Sequence, residues 1–317
     1  MQAWEREFDW IAAAADRFPF PKASRLYVDW RENDLEFRHP LGGGTLYPEH
    51  FPTTAAVGED WVNSALRSIA HGADGWKTKY FRTWRLWPER CAREKNPLLA
   101  YLVADTRIPD HTLWHHNGLA SALTSPGSDP AFLLFQIGPV QEFIAQARKV
   151  FDHWSGSYLL SYLIAQGMLA IADEIGPDTI IYPQLRGVPL ADWYWFAEAK
   201  VLPDQLKASH PNELLTPSLP NRFLALIPAG YRRETDGMSL PEIARQRIEE
   251  TWRRIQSSVH AFLDTKLNGR FPDWDALWEK EVARFPTMDW MMHRWLPESK
   301  ALDETARGEA FPPGMAC

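Results

Sequence analysis

The sequence predicts an α+β fold, a small sheet with helices, behind a mainly helical and loop-rich N-terminal region. Three observations predict it. From Ala131 onward, apolar runs and amphipathic segments alternate in the order strand, helix, strand, strand, helix, strand. The region before that holds many of the 16 tryptophans and 25 prolines of the 317-residue chain, a mixture that favours irregular packing over a long regular bundle. Between the two lies SPGSDP at 125–130, a turn-rich break. The order of the second part is that of the split-βαβ, ferredoxin-like arrangement.

The elements follow in turn. Trp4, Phe8, Ile11 and Ala15 recur at helical spacing and predict an opening helix that stops before Phe18-Pro19. HPLGGGTLYPEHFP from His39 reads as a loop; its three glycines lack the Lys-Ser/Thr of a phosphate-cradling loop, so they are structural. Helices are predicted over 60–72 and 75–95, and another over 109–123 with Asp110 as its N-cap. AFLLFQI at 131–137 is a continuous apolar run, as expected of a central strand covered on both faces. Pro139 then fits the first turn of a polar helix, with Gln141 and Glu142 near its positive end and Arg148 and Lys149 near its negative end. WSGS at 154–157 predicts an elbow of small residues, after which Leu159, Leu160, Leu163, Ile164 and Ile171 form an apolar helix. DTIIYP (178–183) and RFLALIP (222–228) are strands. Ser239 and Glu242 make a capping box for a helix with Ile248, Trp252, Ile255, Val259 and Leu263 on one face. PTMDWMMHRW from Pro286 is a last strand, although it alternates poorly. The tail from Glu298 is polar and ends among prolines and glycine.

Composition excludes several functions. Hydrophobic residues make up 45% and charged residues 24% of the chain, ordinary for a globular protein. The net charge of −7 gives no support to a free-standing nucleic-acid binder. Cys91 and Cys317 are the 2 cysteines, too few for a disulfide framework or a cysteine zinc site. No signal-peptide core opens the sequence, and a cytoplasmic location is expected without membrane contact.

Three blocks carry a resemblance: FDWIAAAADRFPFP (8–21), ADTRIPDHTLWHHNGLASAL (104–123), and the long stretch from Phe135 to Leu190, reinforced by SLPNRFLALIP (218–228). Together they resemble the large "Palm" subunit of type III-B (Cmr-type) CRISPR effector complexes. The resemblance implies a remnant of a permuted HD-type helical domain over 1–128, a first Palm domain resembling nucleotide cyclase and polymerase palms over 131–297, and a flexible tail over 298–317. The intact family is a nucleotidyltransferase that makes cyclic oligoadenylate from ATP, and its HD domain cuts single-stranded DNA. The sequence departs from that pattern: it contains no adjacent His-Asp dyad, no GGDD, and no Asp-Asp pair anywhere. Palm chemistry needs clustered carboxylates to hold metal against a triphosphate. The chain is therefore expected to be a truncated or split large subunit with no catalytic residues of its own.

The candidate residues are read on that basis. Gly138, Gln141, Glu142 and Arg148, with Ser155, Gly156 and Ser157, are expected to line one wall of a composite ATP site. A tight turn after a central strand, followed by helix-start N–H groups, suits phosphate oxygens. The same residues equally serve helix packing, with Ser155 capping the second helix. Asp9, His111 and His115, beside His116, are the surviving half of a divalent-metal site, too few to hold a cation by themselves; the alternative is that the histidines cap or pack locally. Arg186 is a candidate contact to RNA or a partner subunit, or a solvated turn arginine. Arg245, Arg247, Arg253 and Arg254, interleaved with Glu249 and Glu250, read as a solvent-exposed helix surface. Expected partners are the other subunits of the complex, guide and target RNA through it, and ATP. The competing expectations are a metal-dependent phosphohydrolase or nuclease of HD type using Asp9 and the His111 cluster, and an inactive gene fragment.

Overall fold

The computed structural model describes residues 37–38, 45–46, 58–104, 111–127, 129–195, 216–267 and 271–295. The predicted opening helix, Asp9, Asp110, the Gly42–Gly44 loop and the tail lie outside them. Two short paired strands, β1 (Phe37–Arg38) and β2 (Thr45–Leu46), come first. Helices α1 (Glu59–Ala70), α2 (Gly75–Glu94) and α3 (Leu113–Thr124) follow. The first two lie where the apolar spacing predicts. The third starts later than expected, because the cap is Thr112 rather than Asp110: the Thr112 hydroxyl accepts the His115 N–H at 3.3 Å.

The second part consists of β3 (Pro130–Gly138), α4 (Val140–Ala145), α5 (Val150–Ile175), β4 (Ile180–Tyr182), α6 (Pro189–Trp193), β5 (Arg222–Pro228), α7 (Leu240–Leu267), α8 (Trp274–Glu281) and β6 (Thr287–Arg294). The four longer-range strands form one antiparallel sheet in the order β4-β5-β3-β6. β3 is central. Its odd-numbered residues Ala131, Leu133, Phe135 and Ile137 are buried while Leu134 and Gln136 are exposed, so the run expected to be covered on both faces is covered fully on only one. β6 lies at the sheet edge with nearly all its side chains exposed, which is why its sequence alternates so poorly.

Two long helices cover the buried face. In α5 every residue from Leu163 to Ala172 is buried, as befits a helix apolar all round. Its length and composition would suffice to cross a bilayer, but those residues are packed into the core. Against it lies α7, and the contact is close at Gly167, where a Cβ would stand 2.8 Å from Ile248 Cδ1. Glu242 accepts both the backbone N–H (2.8 Å) and the hydroxyl (2.6 Å) of Ser239, so the capping residues read from sequence do open α7. Gly176 ends α5 at φ +113°, a conformation that L side chains rarely adopt.

The N-terminal helices share this core. Phe81 of α2 is buried among the sheet and α5 residues and meets Trp195 edge-on, with ring centroids 5.5 Å apart. Buried Arg85 of α2 makes a two-pronged bond to Asp192 of α6, both contacts at 2.6 Å. Ser121 of α3 donates to the buried Asp178 carboxylate at 2.7 Å, with the Tyr80 hydroxyl 3.1 Å from the same serine. SPGSDP is thus a short connection between two regions that pack as one body.

Candidate functional site

The turn after β3 gathers most of the expected nucleotide residues, but not as the sequence implies. Gly138 ends β3 opposite Thr287 of β6. Pro139 takes the N-cap position of α4 instead of its first turn. That helix stops after six residues, and a new one begins at Val150. Arg148 and Lys149 therefore stand at the positive end of α5, not at the negative end of a longer α4. WSGS is no elbow: Trp154 to Ser157 lie inside the second and third turns of α5, and the chain bends earlier, at 146–149.

This changes the chemistry of the residues involved. At the start of α5 the Asp152 carboxylate accepts the backbone N–H groups of Lys149 at 3.1 Å and Arg148 at 3.3 Å, the two residues just before the first helical position. Ser155 is not a cap, and an anion at this helix start would compete with Asp152. Gly156 faces Phe143 of α4, with a Cβ there 3.3 Å from the ring, so its smallness is used by the chain itself. Ser157 donates back to the His153 carbonyl at 3.0 Å. Gln141 and Glu142 are exposed on α4. Beside them lies an open depression of about 390 Å³ whose lining includes Arg148, Lys149, Val150 and His153; Arg148 is the one expected nucleotide residue in that lining. Along α5, Phe151, Trp154, Tyr158 and Tyr162 stack successively at 5.8–6.5 Å.

The histidines are placed differently too. His111 precedes α3 and stacks on His116 with centroids 6.2 Å apart, so it is not on the helix that carries His115. Partial burial, followed by the nearby Arg186 guanidinium and His111, lowers the His115 pKa.

Arg186 turns inward. Its guanidinium donates to the carbonyls of Trp84 and Trp114, both at 3.1 Å, and lies over the Trp84 ring at 4.9 Å. Burial and the Arg85 charge push its pKa down to about 10. The candidate RNA or partner contact is thus engaged in joining α2 and α3 to the sheet. Arg247, read as part of a solvated surface, likewise reaches Gln166 at 3.2 Å, Asp173 at 3.8 Å and the Tyr194 ring at 4.9 Å.

One surface is visible only in the fold. The sheet face away from α5 and α7 is covered at one end, where Phe132 and Leu226 pack with Leu119 and Ala120 of α3, Ile181 and Trp295. At the other end the register sets Arg222 and Asp289 on either side of Gln136, and Leu224 and Met291 on either side of Leu134. Leu134 is 40% and Met291 51% exposed. The sequence signal for this face was the polar Gln136 and Arg222 set at matching positions of two otherwise apolar strands.

Residues 132–257 match the family model described as CRISPR-associated protein Cmr2, N-terminal. The CRISPR system Cmr subunit Cmr2 of Pyrococcus furiosus is 40% identical over 126 residues, which is 40% of this chain and 13% of that protein. The corresponding subunit of Saccharolobus solfataricus is 24% identical over 202 residues, 53% of this chain and 19% of that one. Among solved structures, a chain of the type III-B Cmr-beta complex in its apo state aligns with a TM-score of 0.62 at 16% identity, covering 98% of this chain and 36% of that chain. A chain of the Cmr-beta complex bound to cognate target RNA aligns with a TM-score of 0.56 at 15% identity, covering 95% and 37%. The chain thus spans a small part of each curated relative and just over a third of each structural neighbour.

Proposed function

We propose that the chain is a Cmr2-type segment of the large subunit of type III-B CRISPR complexes, and that it serves antiviral defence within a Cmr effector complex; the match of residues 132–257 to the Cmr2 N-terminal family model supports this. In this reading residues 130–295 are the first Palm domain and the preceding helices derive from the HD-type domain. The observation that carries it is the antiparallel sheet order β4-β5-β3-β6 with α5 and α7 on one face. That order supports the split-βαβ, ferredoxin-like topology expected of a Palm, and residues 132–257, matched by the family model, hold three of the four strands and most of α7.

The Palm supplies the non-catalytic wall of a composite ATP site used for cyclic oligoadenylate synthesis. The open end of the sheet, with Gln136, Arg222, Asp289, Leu134 and Met291, is the face on which a second Palm rests. The triphosphate is met by side-chain cations, Arg148 and Lys149, because the Asp152 carboxylate sits at the start of α5 and accepts the backbone N–H groups of those two residues. Gly138, Gln141 and Glu142 shape the turn beside them. The carboxylates that grip metal ions in nucleotidyl transfer come from the second Palm, since positioning and charge stabilisation dominate that chemistry. The other Cmr subunits, guide RNA and target RNA are reached through the complex, in the cytoplasm.

Co-expression with the remaining Cmr subunits tests the assignment. Affinity purification through a different subunit should retain this chain, and Leu134→Glu with Met291→Glu should release it from a Palm partner. A chain that never enters the assembly overturns the reading. Alone with ATP and divalent metal, the 317-residue chain should yield no cyclic oligoadenylate, and Arg148→Ala with Lys149→Ala should weaken ATP binding about tenfold, as expected for loss of two charge-assisted contacts. Undiminished binding by that double variant excludes the wall described here.

A further inference from the structure

Away from the sheet, the end of α7 and the start of α8 bring together three side chains of metal-ligating type. We propose that His260, Asp264 and Asp275 bind a divalent transition-metal ion of the Mn²⁺ or Zn²⁺ class, which ties α8 to the end of α7. His260 and Asp264 are four residues apart on α7 and share a face. Asp275 enters from the first turn of α8. One donor atom of each residue lies within 4.8 Å of the others.

The distances fit coordination. His260 Nε2 stands 3.0 Å from Asp275 Oδ1. Two neighbouring ligands on one ion, each bonded at about 2.1 Å, are separated by roughly 3.0 Å at a right angle. Asp264 Oδ2 lies 3.5 Å from Nδ1 of the same ring, where it either enters the coordination sphere or orients the imidazole by accepting its other N–H. The ring is held beforehand: Trp274 stacks on it at 5.7 Å and Trp278 meets it edge-on at 4.9 Å. Little freedom is left to lose when an ion arrives.

Charge points the same way. Among the described residues, the one ion-pair partner of Asp264 and of Asp275 is His260. The two carboxylates converge at the negative end of a 28-residue helix, where the backbone dipole adds to the attraction for a cation. Asp264 is 53% and Asp275 88% exposed, so an ion enters from solvent and keeps water in its remaining positions. One imidazole with two carboxylates suits Mn²⁺ or Zn²⁺ better than the all-oxygen shells of Ca²⁺ and Mg²⁺.

Titration of the full chain with MnCl₂, followed by the electron paramagnetic resonance of free Mn²⁺, and separately with ZnSO₄ by calorimetry, tests the site. One equivalent of metal should bind, and Asp275→Asn and His260→Gln should each weaken it tenfold or more. His111→Gln, in the distant histidine group, should leave it unchanged. Bound metal should raise the melting temperature of the parent chain and not of Asp275→Asn. Because Asp275 faces solvent, that variant keeps the fold. The site is refuted by an absence of saturable one-equivalent binding below millimolar metal, by Asp275→Asn binding as the parent does, or by binding that disappears with His111→Gln instead.

Discussion

Gly167 carries the closest approach between the two long helices, since a Cβ there would lie 2.8 Å from Ile248 Cδ1 and 3.7 Å from Ala244 Cβ. Gly167→Ala should destabilise the chain by about 1–3 kcal/mol, the usual range for overpacking a closed core. Ile248→Val removes the opposing methyl, so the double variant should recover much of that loss in urea unfolding; strictly additive losses would show that the contact does not limit packing. Arg85 and Asp192 make a second residue-scale case. The guanidinium is only 5% exposed and its carboxylate partner 15%, and burial raises the Asp192 pKa against the opposing pull of Arg85. Asp192→Asn should cost about 3–5 kcal/mol, because one buried charge is left without its partner. A change below about 1 kcal/mol would mean that the exposed Glu89 suffices for Arg85. Neither glycine nor ion pair was legible beforehand, since each contact joins residues far apart in the sequence.

Helix starts divide into those that the sequence announces and those that it hides. The Ser239–Glu242 pair lies at the α7 boundary as its spacing implies, because both partners of a capping box are local. The start of α5 was misplaced by several residues: WSGS looks like a break, yet serine and glycine are tolerated inside a helix whose far half is buried on every side. Asp152, not Ser155, is the capping side chain, three residues from Lys149. Asp152→Ala should destabilise the chain by about 1 kcal/mol, whereas Ser155→Ala should be near neutral by the same denaturant measurement. Equal losses from the two would return the cap to the serine. The poorly alternating β6 is a different case, where an edge position removes the burial contrast on which period-two patterns depend.

At the scale of the whole molecule, the helical region and the sheet are joined through buried polar links, and His115 of α3, close to Arg186, adds a pH dependence to stability. His115 has a folded pKa lowered from 6.5, chiefly by partial burial and then by Arg186. The unfolded chain therefore takes up a proton that the folded chain resists. This contribution to stability is complete above about pH 6.5 and is lost as pH falls through the lowered folded value. The urea midpoint should drop on acidification from neutral pH, and His115→Gln should flatten that drop; an identical acid limb in the variant would refute the link. Arg186 contributes to the same junction by donating to the carbonyls of Trp84 and Trp114, a role invisible in a sequence where it appears as an ordinary turn arginine.

By itself the sequence determined the order and type of the four strands and of the helices α4, α5 and α7 after residue 130, though not the short helices α6 and α8, because strand and helix periods are local properties of apolar spacing. It also carried, in the word order of the stretch from Phe135 to Leu190, most of the resemblance to Cmr2 that the family model finds over residues 132–257. Only the tertiary structure decided where α5 starts and which side chain caps it, which arginines face inward, and which end of the sheet stays open. Those outcomes depend on partners brought together from distant parts of the chain, and a side chain's charge, burial and hydrogen bonds are set by its neighbours in space.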